Sequence, residues 1–126
     1  MLARYRIEFR PAAWHLYRKL PKALQRSLAS RIDALVRNPR PDRSGTLQER
    51  PDVFRIDIGS GQHRCRLLYQ FNPDIPLLAV VTIRRKPPKG VKRDGEEETD
   101  FEALIEAEYL RGPSISWDEL KEELGL

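Results

Sequence analysis

The sequence predicts an α+β fold: an N-terminal strand, a two-helix hairpin and a three-stranded antiparallel meander, joined in one twisted sheet with helices on one face, plus a C-terminal helical extension. Three observations predict it. Apolar residues recur at helical spacing between Pro11 and Arg37 and are interrupted by Pro21. Three short apolar runs between Val53 and Arg84 are separated by Gly- and Pro-containing turns. The sign of the charge then reverses near Gly90.

"YRIEF" alternates apolar and polar residues and reads as the first strand. Pro11 opens a helix that places Ala13, Leu16, Tyr17 and Leu20 on one face, and Pro21 breaks it. A second helix from Lys22 to Arg37 carries Leu24, Leu28, Ile32, Leu35 and Val36 on a single stripe and stops at "NPRP". "VFRIDI", "RCRLLYQF" and "LLAVVTIR" follow as strands, turned by "GSGQ" and "NPD". The two-residue period sets Phe54, Ile56 and Ile58 against Arg55 and Asp57, and Cys65, Leu67, Tyr69 and Phe71 against Arg64, Arg66, Leu68 and Gln70. One sheet face should therefore pack on the hairpin while the other presents arginines, with Leu68, Leu78 and Val80 between them.

A chain of 126 residues with 40% hydrophobic content has room for one modest core. The opening "MLARYRIEFR" is too regularly charged to read as a secretory signal. The longest mostly apolar run, "IPLLAVVTI", has nine residues, against the roughly 20 that a membrane-crossing helix needs. A single cysteine, Cys65, fits a reducing compartment, so a soluble cytoplasmic protein is expected, without a membrane partner. Residues 1–90 hold 19 Lys+Arg against 7 Asp+Glu, whereas residues 91–126 hold 4 against 12. A basic body with an acidic tail suits a nucleic-acid binder or a basic surface that carries its own cover.

"VKRDGEEETD" reads as a charged linker, which gives a division into residues 1–90, a linker at 91–98 and a helical acidic extension at 99–126. Thr99 with Glu102, and Ser116 with Glu119, have capping-box spacing, and Ile115 with Leu120 has that of a hydrophobic staple. Two short helices should follow, each too short to stand alone and so in need of a docking surface.

The order of elements, with "NPRP", "FRIDIG", "CRLLY" and the basic end "IRRK", resembles the RelE/ParE superfamily of toxins from toxin-antitoxin modules, over residues 4 to about 86. The resemblance implies a ribosome-dependent mRNA endoribonuclease that needs no metal or other cofactor. In that reaction the ribose 2′-hydroxyl attacks the adjacent phosphate, so cations must stabilise the transition state while other groups take and give protons. On this reading Arg66 clamps the transition state, Arg55 supports it, and Arg85 or Lys86 supplies a second cation. His63 is the best candidate for proton transfer, because "RRKPPKG" offers neither the tyrosine nor the histidine that several relatives place there. Arg50, Arg64, Arg84 and Lys89 would add RNA-binding charge, and Tyr69 belongs to the core.

The missing terminal tyrosine or histidine keeps an alternative open: a non-enzymatic binding toxin of the gyrase-targeting, ParE-like kind, or a catalytically weakened member held by an antitoxin. The end, "SISWDELKEELGL", is similar to the acidic, Leu-rich ends of small antitoxins. Expected partners are thus mRNA and the ribosome, and either a cognate antitoxin or the chain's own tail, docked on the sheet or the hairpin in cis or on a second copy. A plain C-terminal decoration, a fusion of toxin and antitoxin segments and a homodimer are the other readings.

Overall fold

In a computed structural model of the chain, which describes residues 5–41, 44–59, 64–86 and 96–126, the sheet has six strands. They are β1 (Arg6–Phe9), β2 (Gly45–Thr46), β3 (Phe54–Ile58), β4 (Arg64–Asn72), β5 (Leu77–Lys86) and β6 (Ile115–Ser116). Their order across the sheet is β2-β3-β4-β5-β1-β6. β3, β4 and β5 form the expected antiparallel meander, and β1 lies parallel to β5. The two-residue edge strands β2 and β6 are additions that periodicity could not announce, since two residues show no alternation.

Helix α1 (Pro11–Lys19) starts with a proline at its first turn, where a missing N–H costs nothing, and Pro21 prevents its continuation. Helix α2 (Lys22–Leu35) ends earlier than the apolar stripe suggested, because Val36 and Arg37 donate to Asp33 and Ala34 in a tightened last turn. Buried Gln25 locks the hairpin: its side-chain amide donates to the Tyr17 carbonyl at 3.0 Å, and the Tyr17 hydroxyl donates back to the Gln25 carbonyl. Leu24, Leu28 and Ile32 pack on Leu67, Tyr69 and Val80, which makes the main core between the hairpin and one sheet face.

A register irregularity between Leu68 and Tyr69 leaves Val81 as an extra residue in β5, since Leu68 faces Thr82 and Tyr69 faces Val80. The bulge corrects one expectation. Leu78 and Val80 belong to the hairpin core, and Val81 takes their expected place beside Leu68 on the opposite face.

That opposite face is covered by α3 (Glu96–Tyr109), whose Leu104 and Ala107 pack with Leu68, Val81, Leu47 and Val53. The helix starts at Glu96, ahead of the Thr99 and Glu102 spacing that suggested its cap. The chain then turns at Gly112, whose φ of 145° only glycine takes without strain. It adds β6 antiparallel to β1 and ends in α4 (Trp117–Leu124) on the hairpin side. The Ser116 side chain accepts from the Glu119 amide at 3.1 Å, as its spacing predicts, and Gly125 closes the helix in the left-handed conformation. Among the described residues no helix is long and apolar enough to cross a membrane.

Candidate active site

The pairing of β3 with β4 sets Arg55 opposite Leu68 and Asp57 opposite Arg66, and the pairing of β4 with β5 sets Arg66 opposite Arg84. Cross-strand partners share a face, so Arg55, Arg64, Arg66 and Arg84 all lie on the side of Leu68, away from α2. Arg85 does not join them. It stands opposite Cys65, a member of the hairpin core, so the two-residue period turns it to the other face. Of the two residues expected to supply a second cation, Arg85 or Lys86, Arg85 therefore lies on the face away from Arg66, while Arg84 stands opposite Arg66 in the ladder.

Arg66 is 7% exposed and is held on three sides. Its Nε and Nη2 fork onto the Asp57 carboxylate at 2.6 and 3.0 Å, and its Nη1 donates to Oδ2 of Asp100 on α3. The other oxygen of Asp100 accepts from Nη1 of Arg84. Asp100 is itself only 2% exposed. Arg64 reaches Asp57 at 3.8 Å. Two carboxylates thus sit among three guanidinium groups, a grouping in which each buried charge needs its partners, because an unpaired one would cost several kcal/mol. Arg66 makes the cross-strand ion pair of this face, because Asp57 is its direct neighbour across the ladder.

Arg55 is half-buried beside Gly45, where a side chain on Gly45 would stand 3.5 Å from its Nε. Arg55, Arg66 and Asp100 line a cavity of about 230 Å³ with the 46–49 segment that follows the start of β2. Arg50, in the segment before β3, meets Asp52 at 3.1 Å and Glu108 of α3 at 2.7 Å. Its hydrogen bonds hold the Asp52 carboxyl below its usual range. Lys86 ends β5, and His63 and Lys89 lie outside the described residues. No histidine or tyrosine projects from the described parts of β3, β4 or β5 on the arginine face. Tyr69 points the other way, and its hydroxyl donates to the Pro39 carbonyl at 2.7 Å.

Sequence reading passed over Asp57 and Asp100. Asp57 was legible in principle, given the register of the hairpin that pairs it with Arg66. Asp100 was not, as one carboxylate among twelve in the acidic tail. Among the described residues no group of three or more His, Cys, Asp or Glu side chains could hold a metal ion.

No protein-family model matches the sequence, and no curated protein matches it. Solved structures do match in shape. A mutant of the E. coli toxin RelE in the free state aligns with a TM-score of 0.61 at 20% identity, over 85% of this chain and 99% of that one. The toxin of the intact E. coli RelBE toxin-antitoxin complex aligns with a TM-score of 0.56 at 23% identity, over 65% of this chain and 96% of that one. The archaeal RelE-RelB complex from Pyrococcus horikoshii aligns with a TM-score of 0.53 at 21% identity, over 73% and 100%. Spread over nearly the whole length of each matched chain, this likeness establishes that the present chain has the RelE fold.

Proposed function

We propose that the chain is the toxin of a toxin-antitoxin pair and that its arginine face cleaves mRNA in the ribosome, with Arg66 as the central cation. The supporting observation is the convergence of Arg55, Arg66 and Arg84 on one face of a RelE fold, beside a cavity. In the reaction the ribose 2′-oxygen attacks phosphorus and the bond to the 5′-oxygen breaks, leaving a cyclic phosphate and a free 5′-hydroxyl. Negative charge grows on the non-bridging oxygens during the attack. A guanidinium offers those oxygens fixed N–H donors and stays charged throughout; Asp57 holds Nε and Nη2 of Arg66, which leaves Nη1 as its donor towards a phosphate. Arg66 and Arg84, facing each other across the ladder, can hold both oxygens, while Arg55 and Lys86 draw in the flanking backbone. One proton leaves the 2′-hydroxyl and one goes to the departing oxygen, a role assigned to His63. An antitoxin and a cytoplasmic location follow from the same reading, since two of the matched toxins are in complexes with antitoxins.

A second reading is a non-enzymatic binding toxin, for example one directed at gyrase. The absence of histidine and tyrosine from the described strands on the arginine face favours it. Expression of the full chain and of Arg66→Ala, followed by mapping of mRNA ends, separates the two. Cuts phased with codons that disappear in the variant support the nuclease. Growth arrest with intact mRNA and broken DNA would support the gyrase reading and overturn the first.

A further inference from the structure

The acidic tail does not cover the molecule uniformly. Its two helices lie on opposite sides of the sheet, and they are held there by different physics. α4 is part of the main core through Trp117 and Leu120, and β6 fastens it to the open edge of β1. α3 lies on the arginine face, where Leu104 and Ala107 supply its buried apolar contact and ion pairs supply the rest. The charged contacts are concentrated in one group. Each oxygen of the Asp100 carboxylate meets a different arginine, Oδ2 with Arg66 and Oδ1 with Arg84.

We propose that Asp100 is a built-in occupant of a phosphate site, and that α3 is an autoinhibitory plug whose carboxylate stands where a substrate phosphate would be gripped by Arg66 and Arg84. This rests on the functional reading above and extends it from the site to its regulation. A carboxylate offers two acceptor oxygens about as far apart as two non-bridging phosphate oxygens, so one pair of guanidinium groups can serve either ligand. With Asp57 on the fork of Arg66 and Asp100 shared between Arg66 and Arg84, both arginines are paired and largely hidden from solvent, and an RNA phosphate must displace Asp100, and with it α3, to reach the donors that Asp100 holds. Glu108, paired with Arg50 further along α3, adds a further ion pair that holds the helix in place. The plug can leave without being lost from the molecule, because beyond Gly112 the chain is anchored independently: Trp14 Nε1 donates to the Pro113 carbonyl at 3.1 Å and β6 pairs with β1.

The test uses the full chain and a short single-stranded RNA made uncleavable by 2′-O-methylation, with affinity read by fluorescence anisotropy. Asp100→Asn keeps the shape of the side chain and removes its charge, and it should raise RNA affinity roughly tenfold or more. Adding Arg66→Ala to it should abolish the gain. Should Asp100→Asn fail to fold, Leu104→Ala loosens the same helix with every charge retained, and a smaller gain in the same direction is expected. Unchanged affinity in a folded Asp100→Asn or Leu104→Ala protein overturns the plug. So does a gain that survives Arg66→Ala. Cleavage on ribosomes distinguishes failure of the plug from failure of the function. Tighter RNA binding without any cleavage would leave the plug standing and remove the nuclease reading, whereas equal cleavage by wild type and Asp100→Asn would do the reverse.

Discussion

A single buried hydroxyl shows how side-chain environment becomes a pH dependence. Tyr69 is fully buried, and burial pushes its hydroxyl up to about 12, from an ordinary value of about 10. The folded chain then keeps this proton at a pH where the unfolded chain releases it. The stability it confers is complete below about pH 10 and is lost as pH rises towards about 12. Burial raises Tyr17 in the same direction. Tyr69→Phe should therefore lose about 1 kcal/mol at neutral pH, the value of the hydrogen bond to Pro39. It should also lose less than wild type does between about pH 8 and pH 11 in urea titrations. Equal losses over that range would show that the tyrosine titrates freely. The core role of Tyr69 was legible because it alternates with Leu67 and Phe71 along one strand. The ion pair of Arg66 was not, because a period fixes the face of a residue but not its partner across the ladder.

At the level of elements, α1, α2 and the meander were legible because each has an apolar pattern several residues long. Leu16 was misread as part of the apolar face of α1 and is 39% exposed. α1 covers little with that side: Ala13 and Tyr17 reach the main core, while Leu16 lines a groove between α1 and α3. The final helix was legible through its cap, yet its docking place was not, since a stripe of Trp117, Leu120 and Leu124 fits several surfaces. In the structure Trp117 stacks on Phe9 with ring centres 5.2 Å apart, meets Tyr17 edge-on at 5.5 Å and donates to Asp33 at 2.7 Å. Trp117→Ala should cost about 3–5 kcal/mol, the range for emptying a large aromatic site in a core. By contrast Glu123→Ala, which breaks the exposed bidentate pair with Arg18, should cost less than about 1 kcal/mol. Chemical denaturation of both variants checks the ranking. Similar losses would mean that charge, rather than the Trp117 contacts, fastens α4 to the hairpin.

Over the whole molecule, the division between a basic body and an acidic tail becomes a difference in how the two ends of the tail are held. α4 shares the main core and a strand pairing, so it should open only when most of the molecule does. α3 rests on a small apolar cluster and on charges, so it should open at a lower free energy as a unit of its own. Native-state hydrogen exchange of the intact chain should accordingly rank the amides of α3 below those of α4, β4 and β5 in protection. Raising the salt from about 0.1 to about 1 M screens exposed pairs far more than buried ones. Of the ion pairs under α3, the one between Arg50 and Glu108 is partly open to solvent, at 29% and 34% side-chain exposure, whereas Asp100 is at 2%. Salt should thus lower the protection of α3 modestly without releasing it, and Asp100→Asn should lower it further at any salt. If α3 and α4 exchange together at the rate of global unfolding, the arginine face opens only when the protein unfolds. The tail would then be a structural strap on both sides, and a reversible plug would have no separate open state in which to act.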